Sequence, residues 1–249
     1  MRLVACDATM GLPRIPPRGY RPDQEDLLSE MRRLGIERAI VRHRAAYECG
    51  PIAGNRAILE ETRGREELLA TWFVTPDGFE PDFDPEKAIE QMVEAGVRVA
   101  WTNPQAEGFS LLPWCSGPLY EVLEARRVPL LLSYANTTAD VLDVVLGNFP
   151  RLRLILLDAP RLGRSRLLYP LLRRHPNLWL CLSQSYSVHQ GFEDLCRTFG
   201  QERWVFGTGY PEAEGGAAIA GLAYAELSEE AKEAIGHGNI ERLLEEVSG

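Results

Sequence analysis

The chain of 249 residues is poor in the residues and turns that hold metals, nucleotides or a serine nucleophile. It has four histidines, of which no two form an H-x-H pair, and five cysteines without a C-x-x-C pair. It also lacks a G-x-S-x-G turn, a P-loop and a G-x-G-x-x-G turn. These absences disfavour a serine hydrolase of the G-x-S-x-G type and leave the common phosphate-binding loops without support.

Lysine is almost absent as well, since Lys87 and Lys232 are the only two. The formal net charge is −9, whereas nucleic acids and anionic membranes both prefer a basic partner. No apolar run approaches the length of about 18 residues that spans a bilayer, and the N-terminal segment reaches Asp7 before a signal-peptide core could form. We therefore expect a cytoplasmic protein with reduced cysteines and no nucleic-acid or membrane partner.

The composition is that of an ordinary globular protein, with 45% hydrophobic and 25% charged residues. No linker, low-complexity tract or internal repeat interrupts the chain. We predict a single domain over residues 1–249.

Short apolar runs alternate with longer amphipathic ones, a pattern typical of repeated βα units around a parallel sheet. Some runs, such as Leu154–Leu157, are continuously apolar, as expected for strands covered on both faces. Eight strands are predicted, the number that closes a barrel. They are Leu3–Ala8, Arg38–Arg42, Leu68–Val74, Arg98–Trp101, Pro129–Tyr134, Arg153–Asp158, Leu178–Ser183 and Arg203–Gly207.

Helix signals fall between the predicted strands. Proline in the first turn and glycine at the end delimit two helices, within Pro22–Gly35 and Pro85–Gly96. Capping-box patterns at Thr137–Asp140 and Ser187–Gln190 predict two further helix starts. The last two helices are predicted at Ser228–Ile235 and Asn239–Val247.

Two stretches near the end of the chain carry a more specific pattern. Trp204–Pro211 reads WVFGTGYP, an apolar strand that opens into a glycine-rich turn, and Gly238–Leu244 reads GNIERLL. This pair resembles the end of the amidohydrolase-related family, in which the strand reads F-G-S-D-[YW]-P and the last helix opens with G-N-A-x-R-L. Four further stretches resemble the middle section of that family: Gly108–Leu111, Gly117–Tyr120, Val128–Leu132 and Asn148–Leu157.

The resemblance implies a (β/α)8 TIM barrel, an α/β fold of the metal-dependent hydrolase superfamily, with its site at the C-terminal ends of the strands. Because the loop after the first strand is short, the barrel could be distorted there. The resemblance is also compatible with a homodimer, because members of this family often form one.

The same resemblance implies a metal site that this chain does not complete. The family pattern uses an H-x-H pair after the first strand, a histidine after the fifth and an aspartate after the eighth. Here the first strand runs into Asp7–Gly11 without a histidine, the fifth ends in Ser133 and the eighth in Gly209. Asp158 stands where a histidine would follow the sixth strand, and both lysines fall in predicted helices, which disfavours a lysine-bridged binuclear site. We expect a degenerate metal site with no bound metal and no other cofactor.

Asp7 and Asp158 are candidate catalytic residues, because carboxylates at the C-terminal ends of barrel strands commonly take part in chemistry. Two carboxylates in a water-poor mouth would raise the pKa of one of them and form an acid and base pair. The structural alternative is that Asp158 pairs with Arg161 or Arg164 and caps a helix, while Asp7 accepts hydrogen bonds from loop amides. The sequence leaves both interpretations open.

His43 is a third candidate catalytic residue, because imidazole titrates near neutrality. Its neighbours Arg42 and Arg44 could clamp a carboxylate, although the three residues could equally form a solvated loop cluster. Glu212 and Glu214 are expected to face solvent. The other candidate substrate-binding residues, with aromatic walls that could instead belong to the core, are Trp101, Asn103, Ser133, Asn136, Arg161, Gln184 and Tyr210, with Trp72 and Tyr134 beside them.

Two functions are compatible with these patterns. The first is a hydrolase, or a lyase of decarboxylase type, that acts on a small carboxylate-bearing or cyclic compound without a bound metal. The second is a barrel that has lost catalysis and serves as a ligand-binding or partner-binding module. A mouth in which Asp7, Asp158 and a basic group converge would favour the enzyme, whereas a mouth plugged by Trp101, Tyr134 or Tyr210 would favour the module.

Overall fold

The computed structural model describes residues 1–12, 22–76, 84–159, 165–183, 186 and 188–248. Within these ranges the strand segments are β1 Val4–Met10, β2 Arg38–His43, β3 Leu68–Ala70, β4 Trp72–Phe73, β5 Ala100–Thr102, β6 Leu130–Ser133, β7 Leu154–Leu157, β8 Leu178–Leu182 and β9 Trp204–Phe206. They form one sheet of order β1-β2-β3 and one of order β4-β5-β6-β7-β8-β9. Every described pair of neighbours is parallel, as the alternating sequence pattern predicts.

The third predicted strand, Leu68–Val74, is divided at Thr71. Before this residue β3 pairs with β2, and after it β4 pairs with β5. The backbone N–H and the hydroxyl of the buried Thr71 both donate to the Val41 carbonyl, at 3.1 and 2.9 Å. The Asn55 amide both donates to and accepts from the backbone of Phe73, at 3.0 and 2.7 Å, which fixes β4. The eight predicted strand positions are therefore present as nine segments.

β1 and β9 come together without a regular ladder. The Thr9 N–H donates to the Tyr210 carbonyl at 2.9 Å, and the Asp7 carboxylate accepts the backbone N–H groups of Thr208 and Gly209. β1 also shifts register against β2, as at a β-bulge. A side chain of β1 therefore joins the two sheets at this side of the barrel.

Apolar side chains alternate between the barrel interior and the layer beneath the helices, as the two-residue period of a strand requires. Ile40 and Leu131 belong to the interior cluster, and Val41 belongs to the outer one. The same alternation continues at the end of β2. Arg42 consequently faces the barrel mouth, whereas His43 faces the helices.

The helices are α1 Gln24–Leu34, α2 Ala45–Glu48, α3 Pro51–Thr62, α4 Pro85–Glu94, α5 Pro104–Glu107, α6 Pro113–Arg126, α7 Ala139–Asn148, α8 Ser165–Arg174, α9 Gly191–Phe199, α10 Gly215–Ala223, α11 Glu229–Glu233 and α12 Asn239–Glu245. The helices predicted within residues 22–35 and 85–96 are confirmed as α1 and α4. The cap predicted at Thr137 is wrong by one residue, because the Thr138 hydroxyl accepts the N–H of Val141. Ser187 lies outside the described residues. No helix in the described ranges is long and apolar enough to cross a membrane.

The C-terminal part of the fold differs from the prediction in two ways. Helix α10, rich in glycine and alanine, was not predicted. The predicted interruption between the last two helices is a π-helical turn, Ala234–Gly238, so α11 continues into α12. The Asn239 amide, buried at the start of α12, donates to the carbonyls of Gln201 and Trp204 at 2.7 and 2.8 Å. The asparagine of the G-N pattern thus ties the last helix to β9.

Candidate active site

A cavity of about 230 Å³ lies at the C-terminal ends of the strands, where active sites of barrels of this kind form. Three larger clefts, of about 630, 620 and 380 Å³, lie away from the candidate carboxylates. They are found at the opposite ends of the strands, between α3 and α4, and between α9 and α10. The smaller cavity combines charged, hydroxyl, amide and aromatic groups. Its lining consists of Asp7, Thr9, Arg42, Arg44, Tyr47, Trp101, Thr102, Asn103, Leu131, Ser133, Asn136, Asp158, Gly209 and Glu212.

Asp7 is only 2% exposed, and hydrogen-bond donors surround its carboxylate. Oδ1 accepts the N–H groups of Thr208 and Gly209 at 2.7 and 3.0 Å, and Oδ2 accepts the Gly209 N–H at 3.0 Å. The Cys181 thiol donates to Oδ2 at 3.6 Å. Gly207 makes room for this arrangement, since a Cβ there would stand 2.5 Å from Oδ2. The bonds to loop amides, which the sequence left open as the structural alternative for Asp7, are present.

Burial raises the pKa of the Asp7 carboxyl, and the charge of Asp158 adds to this rise. The backbone N–H groups and the Arg42 guanidinium oppose it. A hydrogen bond with Cys6, followed by burial, raises the pKa of the Cys181 thiol well above its ordinary value. Cys181 is therefore a neutral donor near pH 7, and Asp7 takes up a proton more readily than an exposed aspartate does.

Asp158 follows β7 in a left-handed backbone conformation, with φ 54°. Its Oδ2 accepts a hydrogen bond from the Ser133 hydroxyl at 2.8 Å. Ser133 is the last residue of β6 and pairs with Leu157 of β7, so the two strand ends bring these side chains together. Asp158 is exposed to solvent, and Arg161 and Arg164 lie outside the described residues. Of the two aspartates, Asp158 is therefore the one placed for proton exchange with a bound molecule.

Arg42 supplies a guanidinium to the lining of the same cavity. Its Nη2 donates to the Asp7 carbonyl at 3.0 Å, and its Cζ lies 5.7 Å from the centre of the Trp101 ring. The Nε atom is buried without a hydrogen-bond partner among the described residues. Trp101 is held edge to face against Phe73 and Tyr47, with ring centres 4.5 and 6.0 Å away. A guanidinium with an unused donor beside an indole can bind a carboxylate on a flat ring.

Arg44, two residues further along the chain, also lines the cavity and contacts both Tyr47 and Glu212. Its Nη1 donates to the Tyr47 hydroxyl at 2.9 Å, and its Nη2 forms an ion pair with Glu212. The Glu212 side chain is 57% exposed, in agreement with the expectation that it faces solvent, and it also pairs with Arg44, which was not predicted. The loop after β9 turns back, with the Ala213 N–H on the Gly209 carbonyl at 2.9 Å, and this places Glu212 at the mouth.

Four of the predicted substrate-binding residues, Trp101, Asn103, Ser133 and Asn136, line the cavity together with Arg42. Thr9, Tyr47 and Thr102 also line it but were not predicted. The two-residue period of a strand would have found Thr9, because it follows Asp7 on the same face. Tyr47 lies in the short helix α2, for which the sequence carries no signal.

His43 and Tyr210 do not line the cavity. The His43 Nε2 lies 3.1 Å from Glu61 Oε1 on the outer side of β2. Tyr210 packs against the outer apolar layer. Gln184, like Arg161, lies outside the described residues. Since neither Tyr210 nor Tyr134 is among the lining residues and Trp101 forms a wall, none of these three rings plugs the described mouth.

The parallel strands, which alternate with helices along the chain, place this protein in the class of TIM barrels. The model of one family within this class, Amidohydro_2 (amidohydrolase), matches residues 8–245. The chain therefore belongs to the amidohydrolase family. No curated protein matches the sequence closely enough to count as a relative.

Solved structures of similar shape support the fold. An uncharacterised TIM-barrel protein from Bordetella bronchiseptica is 19% identical with a TM-score of 0.74, and the match covers 99% of each chain. A 2,6-dihydroxybenzoate decarboxylase from Rhizobium is 19% identical with a TM-score of 0.72, over 98% of each chain. A 5-carboxyvanillate decarboxylase from Novosphingobium aromaticivorans, complexed with manganese and a nitrobenzoic acid, is 13% identical with a TM-score of 0.77, over 98% of this chain and 96% of that one. At these identities the likeness establishes the (β/α)8 fold.

Among the described residues, the side chains at the strand ends do not fit the metal site that the family resemblance implies. No three histidine, cysteine, aspartate or glutamate side chains among the described residues are grouped so that they could hold a metal ion. Ser133 and Gly209 stand at two of the expected ligand positions, and neither offers an imidazole or a carboxylate. The Asp7 oxygens already accept backbone N–H groups. Zinc and similar ions need three or four converging donors, and the described residues do not supply them.

Proposed function

We propose that this protein decarboxylates a small hydroxylated aromatic carboxylate in the cavity at the C-terminal strand ends, without a resident metal. The observation that carries the proposal is the Arg42 guanidinium beside the Trp101 ring, with a buried Nε that no described residue satisfies, in the same cavity as Asp158. The dihydroxybenzoate and carboxyvanillate decarboxylases of similar fold support this substrate class.

The size of the cavity supports a single-ring substrate. A volume of about 230 Å³ lies below the range of about 300–1,000 Å³ that is usual for drug-sized ligands. It corresponds to about eight water molecules at about 30 Å³ each. A benzoate with one or two hydroxyl groups matches this volume, and Trp101 with Tyr47 provides flat walls for it.

The residues have separate roles in the proposed reaction. Arg42 holds the anionic edge of the ring, and Asn103 and Asn136 orient its hydroxyl groups. Asp158 passes a proton from solvent water to the ring carbon that carries the carboxylate. The bond between the ring carbon and the carboxylate carbon then breaks, CO2 leaves and the electron pair of this bond restores the aromatic ring. Asp158 afterwards regains a proton from water. Asp7 acts as a positioning residue. Its carboxylate accepts the Gly209 N–H, and its backbone carbonyl accepts a hydrogen bond from Arg42.

Decarboxylation makes smaller demands on this cavity than hydrolysis does. Hydrolysis needs an activated water as well as a group that stabilises the oxyanion. Decarboxylation needs one proton donor and an anchored ring, and the described side chains supply both. Hydrolysis of a small cyclic carboxylate, with Asp158 as the base, is the second candidate reaction for this site.

The test is turnover of 2,6-dihydroxybenzoate, 2,3-dihydroxybenzoate and salicylate, followed by ultraviolet absorbance in protein treated with a chelator. We expect turnover of at least one compound and a loss of at least 100-fold in D158N, because general acid catalysis contributes about 10²–10⁴-fold. The control D140N changes an exposed aspartate on α7 and should leave turnover unchanged. Turnover that survives D158N would contradict the proposal, and tight binding of all three compounds without turnover would favour the ligand-binding module.

A further inference from the structure

A second guanidinium at the mouth of the cavity already holds a carboxylate of the protein itself. Arg44 is held by three contacts. Its backbone N–H donates to the Met10 carbonyl at 2.9 Å, its Nη1 donates to the Tyr47 hydroxyl and its Nη2 forms an ion pair with Glu212. Its side chain is 16% exposed, against 57% for Glu212. The cation is therefore held in the wall, whereas its anionic partner reaches it from the solvent side.

Among the described residues, the charges that line the cavity leave a single cation for a ligand. In the part of the lining that the structure describes, Arg42 and Arg44 are the two basic residues, and the three acidic ones are Asp7, Asp158 and Glu212. The pair of Arg44 and Glu212 is neutral as a unit. An anionic group of a ligand can therefore be matched at Arg42, but a second one would meet Glu212 at Arg44 and would add to the charge of Asp158.

We infer that Glu212 is a specificity-determining residue, whose carboxylate occupies the position on Arg44 that a second carboxylate of a substrate would need. The cavity consequently accepts single-ring monocarboxylates and rejects dicarboxylates of similar size. This inference rests on the proposed function, because it concerns the substrate class of the same site.

A neighbouring glutamate offers a matched control. Glu214 lies in the same loop and is 61% exposed, but it pairs with Arg33 on α1 and does not line the cavity. The variants E212Q and E214Q therefore remove the same charge from the same loop, and only E212Q removes it from the mouth. Both side chains are more than half exposed, so neither change disturbs the core, and thermal unfolding checks this.

The experiment is calorimetric titration of the wild type, E212Q and E214Q with benzoate and isophthalate, which carry one and two carboxylates. We expect the wild type and E214Q to bind benzoate at least tenfold more tightly than isophthalate. In E212Q the ratio of the two dissociation constants should move by at least tenfold in favour of isophthalate, equivalent to about 1.4 kcal/mol. Benzoate affinity should stay within about threefold of the wild-type value, because Arg42 is unchanged.

The possible results separate this inference from the proposed function. Benzoate binding with an unchanged ratio in E212Q overturns the role of Glu212 and leaves the proposed function standing. An equal change in E212Q and E214Q also overturns it, since the effect would then come from net charge. Wild-type protein that binds neither compound, or benzoate binding that survives R42Q, overturns both proposals, because both place the first carboxylate on Arg42.

Discussion

Removal of the Asp7 side chain should weaken the connection between β1 and β9. In D7A the backbone N–H groups of Thr208 and Gly209 lose their acceptor in a buried or partly buried place. Each such unsatisfied group costs about 1–3 kcal/mol, so the two together cost about 2–6 kcal/mol. The burial that raises the pKa of Asp7 shows that the charged carboxylate is itself costly, and its removal offsets part of the loss. We expect a net loss of about 3 kcal/mol in the free energy of unfolding.

Urea unfolding monitored by tryptophan fluorescence measures this loss. With a denaturant slope of about 3 kcal/mol/M, the midpoint should fall by about 1 M. D158A is the control, because it shortens an exposed aspartate of the same cavity and should change the free energy of unfolding by at most about 0.5–1 kcal/mol. If D7A unfolds at the wild-type midpoint, or if D158A loses as much as D7A, the Asp7 carboxylate does not join the sheets in the way described.

Three further predictions concern the same region. The folded-state pKa of Asp7 is raised, so the stability that its protonated carboxyl contributes is present below the unfolded pKa of about 3.9 and is lost as pH rises through the folded pKa. The free energy of unfolding of the wild type, measured relative to that of D7N, should therefore fall as pH rises from about 4. A rise of the wild type relative to D7N over this range would refute the prediction. G207A should cost about 1–3 kcal/mol through overpacking against Asp7 and Cys181, and C181A in the same chain should recover part of it, which a double-mutant cycle measures. N239A should cost about 2–3 kcal/mol in thermal unfolding, because two carbonyls lose a buried donor; a melting temperature equal to that of the wild type would contradict it.

The fold was largely predictable from the sequence, because burial on both faces leaves a plain apolar signature in parallel strands. Leu130–Ser133 and Leu154–Leu157 are strands as predicted, and the glycine at position 35 ends α1. The division of the third strand at Thr71 was not predictable, since it depends on a hydrogen bond to Val41 that lies far away in the sequence. The same limit applies to α10, whose run of glycine and alanine has weak helix propensity at its glycines.

The candidate site was predictable where it follows the strand ends and unpredictable where it depends on loops. Asp158 and Ser133 could be placed because they end neighbouring strands. His43 was proposed from its chemistry, but the alternation of side chains along β2 turns it toward Glu61 and turns Arg42 toward the cavity. The exposure of Glu212 was predicted, but its pairing with Arg44 was not, because this contact joins two loops that are far apart in the sequence and meet only in the folded chain.

The metal content of the purified protein, measured together with its turnover, tests most directly whether this cavity works without a resident ion. Protein prepared without chelator would be analysed for zinc, iron and manganese, and the same sample would be assayed with a hydroxybenzoate. We expect far less than one ion per chain in a preparation that is fully active. One tightly held ion per chain, with activity that disappears when it is removed and returns when it is restored, would contradict the proposed chemistry.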